Sequence, residues 1–361
     1  MLSRRRFLQA LGSLPLLSAT SRAQAAAPGG FYYSGPTSDH FDGQRFFNPG
    51  DDQSRGFKDF LRWQITKQAV PWPEIYPSPY QDAPPPRVDG NNPRISLVGH
   101  ATFLIQMAGS NILTDPVWSD RASPFSFAGP RRHNPPGITF DELPRIDVVL
   151  ISHNHYDHLD LSTIERLWKR DQPRIITPLG NDTIIRTHAP SIPVATLDWE
   201  DSLEVACGLT IFAEPAHHWS ARATNDRNYA LWATFVVRAA GRSIYFAGDT
   251  GFGGGQHFQR TAARHPNLDV ALLPIGAYEP RWFMAPSHMN PSDAVRAFQI
   301  LRTETALGYH WGTFRLTDEG IDQPVHDLTV ALEADGTPAK RFIPMRPGQV
   351  WTLRPGSKDS S

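Results

Sequence analysis

Ile146-Asp147-Val148-Val149-Leu150-Ile151-Ser152-His153-Asn154-His155-Tyr156-Asp157-His158 joins two signals. Its first six residues form an apolar, β-branched run, the pattern of a strand buried on both faces of a central sheet. Directly behind it, four potential metal ligands, His153, His155, Asp157 and His158, crowd into six residues. That density is hard to explain as packing. Neutral imidazole nitrogens mixed with a hard carboxylate oxygen suit zinc, manganese or iron in a catalytic site. In an extended or looping segment, residues i and i+2 project the same way. His153 and His155 can therefore pinch one ion while Asp157 and His158, turning into the next helix, reach a second. A merely solvated polar loop leaves this clustering without a cause.

Working outward, helical spacing covers Leu161 to Arg170, and strands are expected at Ile95 to Val98, Thr102 to Met107, Asn111 to Leu113 and Arg174 to Thr177. Further strands are expected at Leu209 to Ala213, Leu231 to Val237, Ser243 to Ala247, Val270 to Pro274 and Ala306 to Gly308. Three of these end in a ligand-type residue: Ala216-His217-His218-Trp219, Gly248-Asp249-Thr250-Gly251 and Tyr309-His310-Trp311-Gly312. Strand ends on one side of a sheet are where α/β proteins assemble sites. Singly each is weak, since Gly-Asp is usually a turn and a His beside Trp is usually packed. Two broadly similar halves, each a run of strands followed by helices, fit an α/β fold folded over on itself.

The ordered set resembles the metallo-β-lactamase superfamily, whose His-x-His-x-Asp-His, distal His, bridging Asp and final His are matched in full between residues 94 and about 350. The resemblance implies a four-layer αβ/βα sandwich. It also implies that His153, His155 and His218 bind one ion, that Asp157, His158 and His310 bind the other, and that Asp249 bridges them. An Asp at the bridge, where true β-lactamases commonly carry Cys, favours hydrolysis of other substrates. Gly99-His100-Ala101-Thr102, Leu113-Thr114-Asp115-Pro116, Pro274 to Met284 and His310-Trp311-Gly312-Thr313-Phe314 further resemble the branch of phospholipases D that hydrolyse N-acyl-phosphatidylethanolamine. That branch commonly has an amide residue where His217 stands, so His218 is taken as the ligand.

Two divalent ions, zinc first with manganese or iron as alternatives, would lower the pKa of a shared water and hold a phosphodiester for in-line attack. Asp157, Asp249 and His288 are the residues expected to act in catalysis. Tyr278, Arg281, Trp282 and His288 are expected to meet a phospholipid or other small amphiphile, with contact to a membrane surface. His100 and Asp115 are expected to orient ligands from behind. The alternatives are a lactonase or other carboxylic-ester hydrolase, and a non-catalytic metal-dependent binding protein of the periplasm.

The remaining sequence sets the context. Ser3-Arg4-Arg5-Arg6-Phe7-Leu8, a short apolar run and Ala23-Gln24-Ala25 read as a twin-arginine export signal over residues 1–27, so a periplasmic or secreted location and passage through the twin-arginine machinery are expected. Losing residues 1–25 removes four arginines and no acid, leaving 31 basic against 36 acidic side chains, which disfavours nucleic-acid binding. The single cysteine, Cys207, excludes an internal disulfide and a thiolate-built zinc site. Residues 28–93, rich in Pro and aromatics, read as an irregular arm that wraps the body or helps form a homodimer. One helix interrupts the arm at Phe57 to Gln68, where Phe57, Phe60, Leu61 and Ile65 share a face. The hydrolase domain is expected over 94–353, with a disordered tail over 354–361.

Overall fold

The computed structural model describes residues 32–50, 55–205 and 208–353; the expected export signal, Cys207 and the polar tail lie outside them. Two seven-stranded sheets form the centre. The first contains β1 (Arg94–Gly99), β2 (Thr102–Met107), β3 (Ser110–Thr114), β4 (Val148–Leu150), β5 (Arg174–Pro178) and β6 (Val194–Leu197) in chain order. The second contains β7 (Ser202–Val205), β8 (Leu209–Glu214), β9 (Thr234–Ala239), β10 (Arg242–Phe246), β11 (Val270–Pro274), β12 (Thr305–Tyr309) and β13 (Phe342–Pro344). The last strand, β14 (Val350–Thr352), returns to pair antiparallel with β1. Each sheet begins with antiparallel pairs and finishes with three parallel pairs, so the two halves share one design.

The period-two alternation of a strand explains the layering. Phe103, Ile105 and Met107 of β2 point into the space between the sheets, where they meet Phe235, Val237, Ile244, Phe246, Leu272 and Leu307. Their neighbour Leu104 points the other way, into a core shared with Ile164 and Leu167 of α2 (Leu161–Asp171) and Ile184 and Ile185 of α3 (Asn181–His188). Likewise Tyr245, Ala271 and Leu273 face outward onto α4 (Gln256–Arg264), α6 (Pro291–Leu301) and α7 (Gln323–Asp335), through Phe258, Val295, Phe298 and Leu328. Helix, sheet, sheet, helix is the four-layer αβ/βα sandwich expected from the sequence. Among the described residues no helix is long and apolar enough to cross a membrane.

The departures have local causes. The strand expected from Leu231 begins at Thr234, because the Leu231 and Ala233 amides donate instead to the carbonyls of Leu179 and Ser152. Strands β6, β7, β13 and β14 have no counterpart among the expected strands, since they are short, partly exposed and lack a clean apolar alternation. In the arm, α1 (Phe57–Thr66) forms, but its recurring apolar face is not a core face. Only Trp63 is buried, while Phe57 and Ile65 are 73% and 82% exposed. The rest of the arm packs irregularly on the body, with Phe41 and Phe46 buried against Ala216, Leu231 and Trp232.

Candidate metal centre

Strand directions bring the site together. In the first sheet β1, β3 and β4 run the same way, so His100, Asp115 and the 153–158 loop leave from one edge. In the second, β8, β10, β11 and β12 are co-directional, so His218, Asp249, His288 and His310 follow strands that end at one edge. Asp160 closes the first loop by capping α2, accepting from the amides of Ser162 and Thr163. Gly248 brings the second edge close. Its φ is +58°, and a Cβ there would meet the Ser152 side chain at 2.6 Å, so glycine is needed to seat Asp249 beside the histidine loop. His100, Asp115 and His310 also take positive φ, a backbone cost that clusters here at the strand ends.

Two groups of side chains converge. His153, His155, His218 and Asp249 form one; Asp157, His158 and His310 form the other together with His100. His153 Nε2 lies 2.8 Å from His155 Nδ1, which in turn is 3.3 Å from His218 Nε2. In the second group His158 Nε2 is 3.2 Å from His310 Nε2, and Asp157 Oδ2 is 3.4 Å from His310 Nε2. Asp249 spans both. Its Oδ2 is 3.2 Å from His158 Nε2 and 3.8 Å from His218 Nε2, and its Oδ1 is 3.1 Å from His310 Nε2.

The opposite ring nitrogens are held by oxygens. Ser152 Oγ lies 2.9 Å from His153 Nδ1, Asp115 Oδ2 lies 2.7 Å from His158 Nδ1, and the Ser287 carbonyl lies 2.9 Å from His218 Nδ1. Such partners fix the tautomer and aim the free lone pair inward. His100 Nε2 contacts Asp157 Oδ2 at 2.9 Å, bracing that carboxylate. Of the two adjacent histidines, His218 enters the cluster, whereas His217 turns to the Pro286 carbonyl and a separate cavity.

This donor set fits cations. Burial holds His155 down to about 3 and His153 and His218 well below the ordinary imidazole range, so all three present neutral nitrogens. Burial would also depress His310 and His158, but the Asp249 and Asp157 carboxylates outweigh it, pushing His310 up to about 9 and His158 well up. Those carboxylates therefore demand positive charge at the very nitrogens that converge. His155 Nε2 and His288 Nδ1 are buried without a hydrogen-bond partner.

A cleft of about 610 Å³ opens onto the cluster, and His155, Asp157, Asp249 and His288 form part of its lining. Its other walls are largely apolar: Phe57, Phe60 and Trp63 from α1, Trp219 from the His218 loop, and Phe283 and Met284 from the single turn α5 (Arg281–Met284). His288 stands in the cleft as expected, kept uncharged near neutral pH because burial lowers it to about 4. Three expected substrate contacts do not reach it. Tyr278 is buried and donates to Asp327 at 2.6 Å; Arg281 is committed to Asp293 at 2.7 Å and to the His288 carbonyl at 2.9 Å; the Trp282 ring packs under Arg62. These residues support the cleft wall from behind. Its inner surface comes from Phe283, Met284 and α1, which no local motif marked as cleft-forming.

A two-sheet α/β sandwich with a His/Asp cluster at its strand ends defines a class of metal-dependent hydrolases. The description of a Beta-lactamase superfamily domain matches residues 110–311, and the chain belongs to that superfamily. It is 37% identical over 264 residues to the N-acyl-phosphatidylethanolamine-hydrolyzing phospholipase D 1 of Caenorhabditis elegans, covering 70% of this chain and 74% of that one. It is 38% identical over 306 residues to an uncharacterized protein of Mycobacterium tuberculosis, covering 81% and 79%. Among solved structures, a possible metal-dependent hydrolase from Veillonella parvula superposes with a TM-score of 0.57 at 17% identity, covering 74% of this chain and all of the other, a likeness of fold.

Proposed function

We propose that the chain is an exported, dinuclear phosphodiesterase of phospholipase D type acting on a phospholipid such as an N-acyl-phosphatidylethanolamine. The observation that carries the reading is Asp249, whose two oxygens lie between the groups around His218 and around His158 and His310. His153, His155 and His218 would hold one divalent ion, Asp157, His158 and His310 the other, with Asp249 shared and zinc the first candidate. Bound there, the ions would supply Lewis acidity, lowering the pKa of a water and offsetting charge on a phosphodiester.

The chain's own residues do the rest. Asp115, Ser152 and the Ser287 carbonyl hold the imidazoles in register, and His100 steadies Asp157. His288, uncharged and within the cleft, offers an imidazole that can hydrogen-bond a phosphate oxygen or accept a proton there. The aromatic walls exclude water and receive acyl chains. On the outside of the same cleft wall, the apolar side of α1 faces solvent beside Lys58, Arg62 and Lys67, a combination suited to resting on an anionic lipid surface. The relatives named as phospholipases D support the substrate class.

The test offers purified protein bis-p-nitrophenyl phosphate, an N-acyl-phosphatidylethanolamine and an acyl lactone in parallel, with metal content measured by mass spectrometry. Two metals per chain and phosphodiester turnover are expected, and Asp249→Asn should abolish that turnover. Hydrolysis of the lactone alone would overturn the reading.

A further inference from the structure

The cleft contains a guanidinium that no carboxylate among the described residues neutralises. Arg227 packs over the Trp219 ring, its Cζ 4.3 Å from the ring centroid, and Trp219 in turn packs on His155 with centroids 4.3 Å apart. Its neighbour Asp226 is no partner. That carboxylate is buried and already accepts from the amides of Arg222 and Ala223 and from the Tyr32 hydroxyl at 2.7 Å. Among the described residues no carboxylate pairs with Arg227. The one charge acting on it is another cation, Arg45, which donates to the Arg227 carbonyl; burial first, and then Arg45, lower its hold on its proton.

A half-buried cation beside a like charge, with no counter-ion among the described residues, is costly to keep. It is tolerated where a ligand brings the missing charge. Stacking on an indole fixes the plane of a guanidinium and leaves its edge of N–H donors for a bidentate acceptor, the geometry that suits phosphate. Arg55 lines the same cleft, donating through Nε to the Trp282 carbonyl at 3.0 Å. The cleft carboxylates, Asp157 and Asp249, both belong to the metal cluster, so the outer part of the cleft carries positive charge among apolar walls.

We infer that Arg227, laid on Trp219, is the residue that reads the anionic group of the substrate, taking the phosphate oxygens of an amphiphilic phosphodiester whose chains lie along Phe57, Phe60, Phe283 and Met284. This rests on the phosphodiesterase reading and gives it a recognition element outside the metal ligands. It also gives Arg227 the role that Arg281, locked onto Asp293, cannot fill.

The experiment measures dissociation constants on the zinc-loaded full chain for dihexyl phosphate, an anion, for trihexyl phosphate, its neutral counterpart, and for inorganic phosphate. Arg227→Gln is expected to weaken dihexyl phosphate by about 10- to 100-fold, the range for losing hydrogen bonds to a charged group. It should also collapse the preference for the diester over the triester. Arg227→Lys, which keeps the cation but not the fork, should fall between and serves as the folded control. Inorganic phosphate should bind at least about tenfold more weakly than the diester, because it cannot use the apolar walls. The inference is overturned if Arg227→Gln leaves the diester constant unchanged, if it weakens diester and triester equally, or if inorganic phosphate matches the diester. Should the wild type hydrolyse no phosphodiester, the functional reading fails, while these binding constants still decide the role of Arg227.

Discussion

Asp115 and His158 form a fully buried pair, the carboxylate Oδ2 accepting from the ring Nδ1 at 2.7 Å with neither side chain exposed. Asp115 also accepts from the Ser152 amide and hydroxyl at 2.7 and 2.6 Å, so one carboxylate ties β3 to the histidine loop and sets the His158 tautomer. Asp115→Asn keeps the shape but removes the charge that holds the Nδ1 proton. Metal affinity should fall by about 10- to 100-fold, the usual effect of losing such an orienting partner. Titration against a chelator, with metal content read after dialysis, checks it. Affinity equal to wild type would show that Asp115 is only a packing group.

A pH effect is expected in the arm. His40 stacks on Trp199 with centroids 4.4 Å apart and contacts Asp39 and Asp198 at 2.6 and 2.8 Å. Burial would lower its pKa, but the two carboxylates prevail and raise it above the usual imidazole value. The stabilisation is therefore fully present below about 6.5, the value in the unfolded chain, and is lost as pH rises through the higher folded value. Hydrogen exchange of residues 38–47 should be slower at pH 6 than at pH 8.5 after correction for the intrinsic rate, and His40→Gln should flatten the difference. A corrected rate that is the same at both pH values in the wild type would contradict it.

How far the sequence could be read follows from the range of the forces involved. The ligands were legible because their chemistry is local: His153 to His158 announce themselves in six residues, and His218, Asp249 and His310 each end an apolar strand. The four layers were legible because burial on both faces leaves β2 and β11 as largely apolar runs with little alternation. The cleft walls were not. Whether Arg281 meets substrate or Asp293 depends on where α6 places Asp293, and whether Phe57 faces a core or a cleft depends on α5, more than two hundred residues away. Arg227 carried no motif at all; its stacking on Trp219 without a carboxylate partner among the described residues marks it only in three dimensions.

Trp63 is the anchor of α1. It is the buried side chain of that helix, donates through Nε1 to Asp318 at 3.1 Å and stacks on Phe283 with centroids 5.1 Å apart. Trp63→Ala removes the ring and leaves the buried Asp318 carboxylate with the more distant Gln68 amide at 3.3 Å. A loss of about 3 kcal/mol is expected for the docking of α1. It should appear as faster hydrogen exchange confined to residues 57–66 and a raised KM for long-chain substrate. A uniform drop in protection across both sheets would instead make Trp63 part of the global core.

Leu61 and Ile65 lie on α1 outside the cleft, 43% and 82% exposed, and no packing in the fold accounts for them. If this face rests on lipid, each side chain gains on the order of 1.5 to 3 kcal/mol when fully buried and somewhat less when it is only partly immersed. The double substitution Leu61→Gln and Ile65→Gln should therefore cut partitioning onto anionic phospholipid vesicles by at least about tenfold. Turnover of the water-soluble bis-p-nitrophenyl phosphate should remain, since neither residue touches the cleft. Lys58, Arg62 and Lys67 should add an attraction to the same surface that weakens with salt. Co-sedimentation at low and high ionic strength, beside both assays, separates the two contributions. Vesicle binding that survives the double substitution at both salt concentrations would exclude α1 as the membrane contact and leave its apolar face for another chain.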